Sequence, residues 1–166
     1  MNVLLLADTH LSEGQGARLV ERLRDHLERV DVIIHAGDVT DASVLTALAE
    51  FAPVRAVRGN NDRDMVLPEQ LVIELDGCAI AAVHDSGPAG GRTARLRRWF
   101  PQADVVVFGH SHIPWHQIDV RASDGHAQHH VNPGSAMQRR SAPRHTAATL
   151  QLHDGVVVDV SYILLP

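Results

Sequence analysis

The chain has 166 residues, of which 45% are hydrophobic and 21% charged, with a formal net charge of −5. That is the composition of one ordinary globular domain spanning residues 1–166, long enough to bury a sizeable core. The acidic balance argues against a generic nucleic-acid binder working by long-range attraction. The lone Cys78 excludes a disulfide framework and a cysteine-rich zinc site.

Val3-Leu4-Leu5-Leu6-Ala7 is an apolar run that stops at Asp8-Thr9-His10, which reads as a buried parallel strand with polar residues at its carboxyl end. Side chains alternate along an extended chain, so Asp8 and His10 are expected to point the same way. No basic segment, apolar core and cleavage site precede this run, and no stretch approaches a membrane span. The expectation is a cytoplasmic chain.

Val20, Leu23, Leu27 and Val30 fall on one helical face. Residues 31–35 read as a second buried strand, ending in Ala36-Gly37-Asp38. Asp41 is placed as the N-cap of a helix from Ala42 to Glu50, which Pro53 forbids from continuing. Residues 54–58 form a third strand that closes at Gly59-Asn60-Asn61-Asp62. This rhythm predicts a mainly parallel sheet with right-handed crossovers.

The second half begins with a hairpin, residues 71–75 and 78–83 around Asp76-Gly77, leading to His84. A glycine-rich loop follows, then a short arginine-rich helix over residues 93–100. Residues 104–108 read as another buried strand and empty into Gly109-His110-Ser111-His112. From Trp115 onward the pattern is all β, with strands expected at 117–120, 129–131, 147–152 and 156–160. Two packed sheets with helices outside are the expected architecture.

Five apolar runs therefore end in polar residues: Asp8/His10, Asp38, Asn60/Asn61, His84 and His110/His112. Two carboxylates, one amide oxygen and four imidazoles are more ligands than one ion requires. A carboxylate can bridge two cations, and a pair of ions about 3.5–4 Å apart would lower the pKa of a shared water and clamp an in-line displacement on phosphorus. Nitrogen and oxygen ligands without thiolate suit Mn, Fe, Zn, Co or Ni.

At these residues the chain resembles the calcineurin-like metallophosphoesterases. The series runs D-x-H (Asp8 to His10), G-D (Gly37-Asp38), G-N-x-D (Gly59 to Asp62), H (His84) and G-H-x-H (Gly109 to His112). Asn132-Pro133-Gly134-Ser135, followed by Pro143-Arg144, is similar to the small single-domain bacterial and archaeal branch. The resemblance implies a four-layer α/β/β/α sandwich of two mixed sheets. It also implies Asp8, His10, Asp38 and His112 at one divalent ion, with Asp38, Asn60, His84 and His110 at the other. Manganese is the first choice of metal.

Family members that cleave monoesters well usually have His where this chain has Asn61, and the family as a whole usually has Gly where this chain has Asp85. An amide donates a hydrogen bond to a phosphoryl oxygen but delivers no proton at neutral pH. The expected activity is therefore a phosphodiesterase in which a metal-bridging hydroxide attacks phosphorus. Asp38 and Asn61 would carry the catalysis, and Asn61, Arg58 and Asp62 would contact substrate.

The expected substrate is a small phosphodiester or nucleotide-type compound. A nucleic acid is not favoured, no membrane partner is expected, and a homo-oligomer stays open. The rivals are a phosphomonoesterase or protein phosphatase of the same family, and a non-catalytic interaction scaffold resembling the retromer subunit. His35 is weighed between a satisfied core histidine and a group orienting Asp38, the arginine-rich helix between a solvated face and a phosphate-contacting patch. Trp99 and Trp115 are expected to pack in the core or at an interface rather than to stack a base.

Overall fold

A computed structural model describes all 166 residues. The first sheet is built around β1 (Asn2–Leu6), which pairs in parallel with β2 (Val32–His35), itself parallel to β3 (Val54–Ala56). The crossovers are α1 (Gly16–Leu27) and α2 (Ala42–Ala49). As expected, Asp41 caps α2, its Oδ1 accepting from the Ser43 N–H at 2.8 Å.

The second sheet contains β4 (Gln70–Leu75), β5 (Cys78–Val83), β6 (Val105–Val107), β7 (Trp115–Val120) and β8 (Ala127–Asn132), with α3 (Arg92–Trp99) between β5 and β6. Its order is β4-β5-β6-β8-β7. Two antiparallel hairpins, β4/β5 and β7/β8, flank a parallel centre of β5, β6 and β8.

The last hairpin, β9 (His145–His153) and β10 (Val156–Leu165), returns to the first sheet, where β9 lies antiparallel to β1. The first sheet therefore reads β10-β9-β1-β2-β3 and is mixed. The final strand runs five residues past the expected end at Val160, because Ile163 and Leu165 bury their side chains beneath α1 and α2.

Alternation along β1 explains the layering. Leu4 and Leu6 face α1 and α2, where they meet Leu19, Leu23, Leu27, Val44 and Leu48. Val3, Leu5 and Ala7 point the other way, into the space between the sheets, against Ile80, Ala82, Val105 and Val107. A third cluster, Leu96 and Phe100 with Ala81, Val106 and Phe108, joins α3 to the outer face of the second sheet. The order is α/β/β/α, and the carboxyl ends of β1, β2, β3, β5 and β6 all lead into one site. No helix is long and apolar enough to cross a membrane.

Candidate metal centre

The chain does not bring its ligands together by strand alternation. β1 stops at Leu6 and β6 at Val107, and beyond them Asp8, His10, His110 and His112 take φ values of 55°, 46°, 69° and 59°. Asp38 does the same at 56°. Left-handed backbone costs a non-glycine residue on the order of 1 kcal/mol or more. The turns persist because the chain segments fasten one another. The N–H of Asp8 donates to the Gly37 carbonyl at 2.9 Å, and that of His10 to the Asp38 carbonyl at 3.0 Å. The His110 N–H donates to Asp8 Oδ1 at 3.1 Å.

Two glycines make the close approach available. A Cβ on Gly59 would stand 2.2 Å from Asp38 N and Oδ1, and one on Gly109 would stand 2.9 Å from Asp8 Oδ2. Any side chain at either position would displace a carboxylate.

With that space open, all seven expected ligands converge. His10 Nε2 lies 3.2 Å from His112 Nε2 and 3.4 Å from Asp38 Oδ2. Asp38 Oδ2 is also 3.5 Å from His84 Nε2, so one oxygen stands between imidazoles from two sides. His112 Nε2 is 3.5 Å from Asp8 Oδ1. Asn60 Oδ1 is 3.1 Å from His84 Nε2 and 3.0 Å from His110 Nδ1. The donor atoms form two groups, Asp8/His10/His112 and Asp8/Asp38/His84, each within 4.8 Å. Asp8 belongs to both groups, and Asp38 Oδ2 lies between His10 and His84.

The electrostatics match a cation site. Burial pushes the Asp8 carboxyl up to about 7, and His84 pulls it back only in part. Its Oδ2 is buried without a hydrogen-bond partner. Burial alone would raise Asp38 too. Hydrogen bonds from His84 and from the backbone and side chain of Asn61 outweigh it and hold the group well below the usual carboxylate range. Burial lowers His10, and lowers His112 to about 4. His84 Nδ1 donates to the Ala36 carbonyl at 2.8 Å and His112 Nδ1 donates to the Gln138 carbonyl. A carbonyl only accepts, so both Nδ1 atoms carry a proton and both Nε2 atoms are turned into the site, that of His84 towards Asp38. Imidazole lone pairs, carboxylates and an amide oxygen around an orphaned carboxylate oxygen fit a divalent cation.

The supporting residues were less visible in the sequence. Asp62, expected on the substrate side, is turned inward. Its Oδ2 accepts from the N–H groups of Asp38 and Gly59, both at 2.8 Å, and its Oδ1 accepts from Thr40 N at 2.7 Å. It ties the Asp38 turn to the Asn60 turn. His35 bonds Thr9 Oγ1 at 3.1 Å, bracing the backbone between Asp8 and His10 rather than Asp38. Burial lowers its pKa to about 4. Ser135 Oγ donates to the Asp8 carbonyl at 2.7 Å, and Asn132 Nδ2 to the Gly109 carbonyl at 2.9 Å. The Asn-Pro-Gly-Ser turn is thus a clamp on two ligand loops.

Asn61 donates its side-chain amide to Asp38 Oδ2 at 2.7 Å and its backbone N–H to Oδ1 at 2.8 Å. Arg58 lines the adjoining cleft, with its guanidinium on Glu69 at 2.5 Å. The residue that sequence reasoning missed is Arg140, exposed and in left-handed backbone two residues past Gln138. Its charge acts on Asp8, His10 and His112. No motif marks it.

The arginine-rich helix is not a free basic patch. Arg92 lies over Phe108 and Trp115, at 5.1 and 5.2 Å from their ring centroids. Arg97 is held by Asp119 at 2.7 Å, and Arg95 by the Ser86 carbonyl at 2.7 Å.

The profile of the calcineurin-like phosphoesterase superfamily domain matches residues 1–155. The chain belongs to this superfamily. It is 36% identical over 118 residues to a probable metallophosphoesterase of Methanocaldococcus jannaschii, covering 69% of this chain and 60% of that one. It is 32% identical over 119 residues to another from Methanothermobacter thermautotrophicus, covering 69% of each.

Among solved structures, a predicted phosphoesterase of Streptococcus pneumoniae superposes with a TM-score of 0.71 at 24% identity, covering 98% of this chain and 88% of that one. An archaeal phosphodiesterase gives 0.71 at 19%, covering 99% and 100%. The zinc complex of Vps29 from Entamoeba histolytica gives 0.71 at 21%, covering 98% and 97%. These likenesses establish the metallophosphoesterase fold. Superfamily membership supports a metal-dependent hydrolase, and the seven convergent residues are the candidate metal ligands.

Proposed function

We propose that the chain is a phosphodiesterase using two divalent cations, manganese first among them. Asp8, His10 and His112 would hold one ion, His84, Asn60 and His110 the other, with the oxygens of Asp38 between them. Such ions supply positive charge that withdraws electrons from phosphorus and acidifies water.

The remaining work falls to the chain. Asp38 stays ionised throughout the neutral range, so its charge is always present for the cations. Ala36 and Gln138 fix the tautomers of His84 and His112, so the donor set is ready before substrate arrives. Arg140, whose charge acts on Asp8, His10 and His112, is suited to a phosphoryl oxygen. Arg58 and Arg63 line the cleft of about 400 Å³ on the side of Asn60 and His110.

The preference for diesters rests on position 61. An imidazole there could protonate a departing alkoxide, whereas the Asn61 amide is committed to Asp38 and has no proton to give. General acid catalysis is typically worth 10²–10⁴-fold, and poor leaving groups of the monoester kind lose most without it. Asn61→His should therefore raise the ratio of monoester to diester kcat/KM at least tenfold, measured on matched aryl and alkyl substrates. An unchanged ratio would contradict the reading.

A further inference from the structure

The cleft beside the candidate metal centre does not end at His84. It opens into a second cavity of about 550 Å³ lined by Glu69, Gln70, Val83, Asp85 and Trp99. The two share Glu69, Val83 and Asp85, so they form one continuous groove. Trp99 is 41% exposed there. It is the last residue of α3, whose apolar face is already supplied by Leu96, so the indole is not needed to close the core.

The ring carries a cation over one face. Arg95 lies over it with its guanidinium carbon 6.0 Å from the ring centroid. Arg95 is itself fastened to the loop after His84, donating Nε to the Ser86 carbonyl at 2.7 Å and Nη2 to the Pro88 carbonyl. The loop is pinned in turn by Asp85 Oδ1, which accepts from the Gly87 N–H at 2.7 Å. An aromatic surface is thus tied through Arg95 and one short loop to the residue that follows a candidate metal ligand.

The groove is also polarised. Arginines 58 and 63 stand at the metal end and Trp99 and Gln70 at the far end, with the Glu69 and Asp85 carboxylates where the two cavities join. Phosphate belongs at the first. The second offers a flat apolar face beside acceptors, which suits a ring bearing N–H donors and disfavours a further phosphate.

We propose that Trp99 is a stacking platform for one nucleobase, carried by a nucleoside-type phosphodiester whose phosphorus lies at the metal centre. The ligand is of single-nucleoside size, since a longer strand would bring its next phosphate against Asp85. This inference rests on the phosphodiesterase reading for its substrate but not for its binding surface.

Two measurements separate the two claims. Trp99 and Trp115 are the only tryptophans, and Trp115 packs edge-on against Phe108 under Arg92. Adenosine, which carries no phosphate, should quench the protein's fluorescence saturably, whereas ribose 5-phosphate should not. The quench should vanish in both Trp99→Leu and Trp99→Phe, which keep only Trp115 emission, while adenosine binding followed by calorimetry should be lost in Trp99→Leu and largely kept in Trp99→Phe. Hydrolysis is then compared for a dinucleoside monophosphate and the same diester lacking one base. Base stacking on an aromatic is worth roughly five- to hundredfold, and the kcat/KM ratio should fall by that factor in Trp99→Leu.

Absence of adenosine quenching in the parent, or an unchanged ratio in the variant, overturns the platform even if diesters are cleaved. Quenching without hydrolysis of any diester leaves the platform standing and overturns the phosphodiesterase. Tighter competition by a single-stranded oligonucleotide than by adenosine overturns the single-nucleoside size.

Discussion

At the scale of single residues, the ligands were legible because each follows an apolar run, and runs of that kind can only be buried strands. Asp8, Asp38, Asn60, His84 and His110 needed no more than that. What the sequence could not carry was the backbone conformation. Alternation along a strand brings i and i+2 to one face, yet Asp8 and His10 converge through left-handed turns that depend on hydrogen bonds to residues 27 or more positions away. Asp62 shows the same limit: a carboxylate next to a ligand motif reads as a substrate contact, and only the fold reveals three backbone N–H groups in front of it.

A second residue hidden from the sequence is His130, fully buried beneath α3 with Nε2 on Gln128 Oε1 at 2.7 Å. Burial lowers its pKa from 6.5 to about 4, with Asp119 opposing and Arg97 adding to the shift. Between those values the unfolded chain takes up a proton that the folded chain refuses. The stability due to a neutral His130 is therefore whole above pH 6.5 and is lost as pH falls towards 4. The shift corresponds to on the order of 3 kcal/mol. Urea midpoints at pH 7.5 and pH 5 should drop further for the parent than for His130→Gln, and equal drops would contradict this.

At the scale of elements, the parallel β1-β2-β3 core, the capped α2 and the β4/β5 hairpin follow from local pattern, and the structure has them where the pattern puts them. Long-range pairing did not follow. That β8 lies parallel to β6, and that β9 returns to β1, depends on which apolar faces meet after collapse, and no short window contains that information.

The end of β10 is the sharpest case. Its burial alternates weakly until Ile163 and Leu165, which are 8% and 5% exposed and join the core under the first two helices. Ending the chain after Val160 removes both, together with the pairing of Ser161 to Leu165 against β9. Each such side chain contributes about 1.5–3 kcal/mol. The truncated chain should melt well below the parent by circular dichroism; an unchanged melting temperature would show that this edge contributes nothing.

At the scale of the whole molecule, two sheets meet face to face so that five strand ends open on one side, and the helices are left to cover the outer faces. The site is built from residues 8 to 112, while the hairpins after them contribute the clamp at Asn132 to Gln138 and the neighbouring Arg140. Fold alone does not separate a hydrolase from an interaction scaffold. The difference lies in whether the seven side chains hold ions and whether those ions matter to a reaction.

The most direct test is metal stoichiometry paired with activity on one preparation. Purified protein loaded with Mn²⁺ and desalted should carry two ions per chain and hydrolyse an aryl phosphodiester, with both lost on chelation and both restored by Mn²⁺. Protein that retains no divalent ion under these conditions, and cleaves no diester at any metal concentration, would contradict the account at its centre.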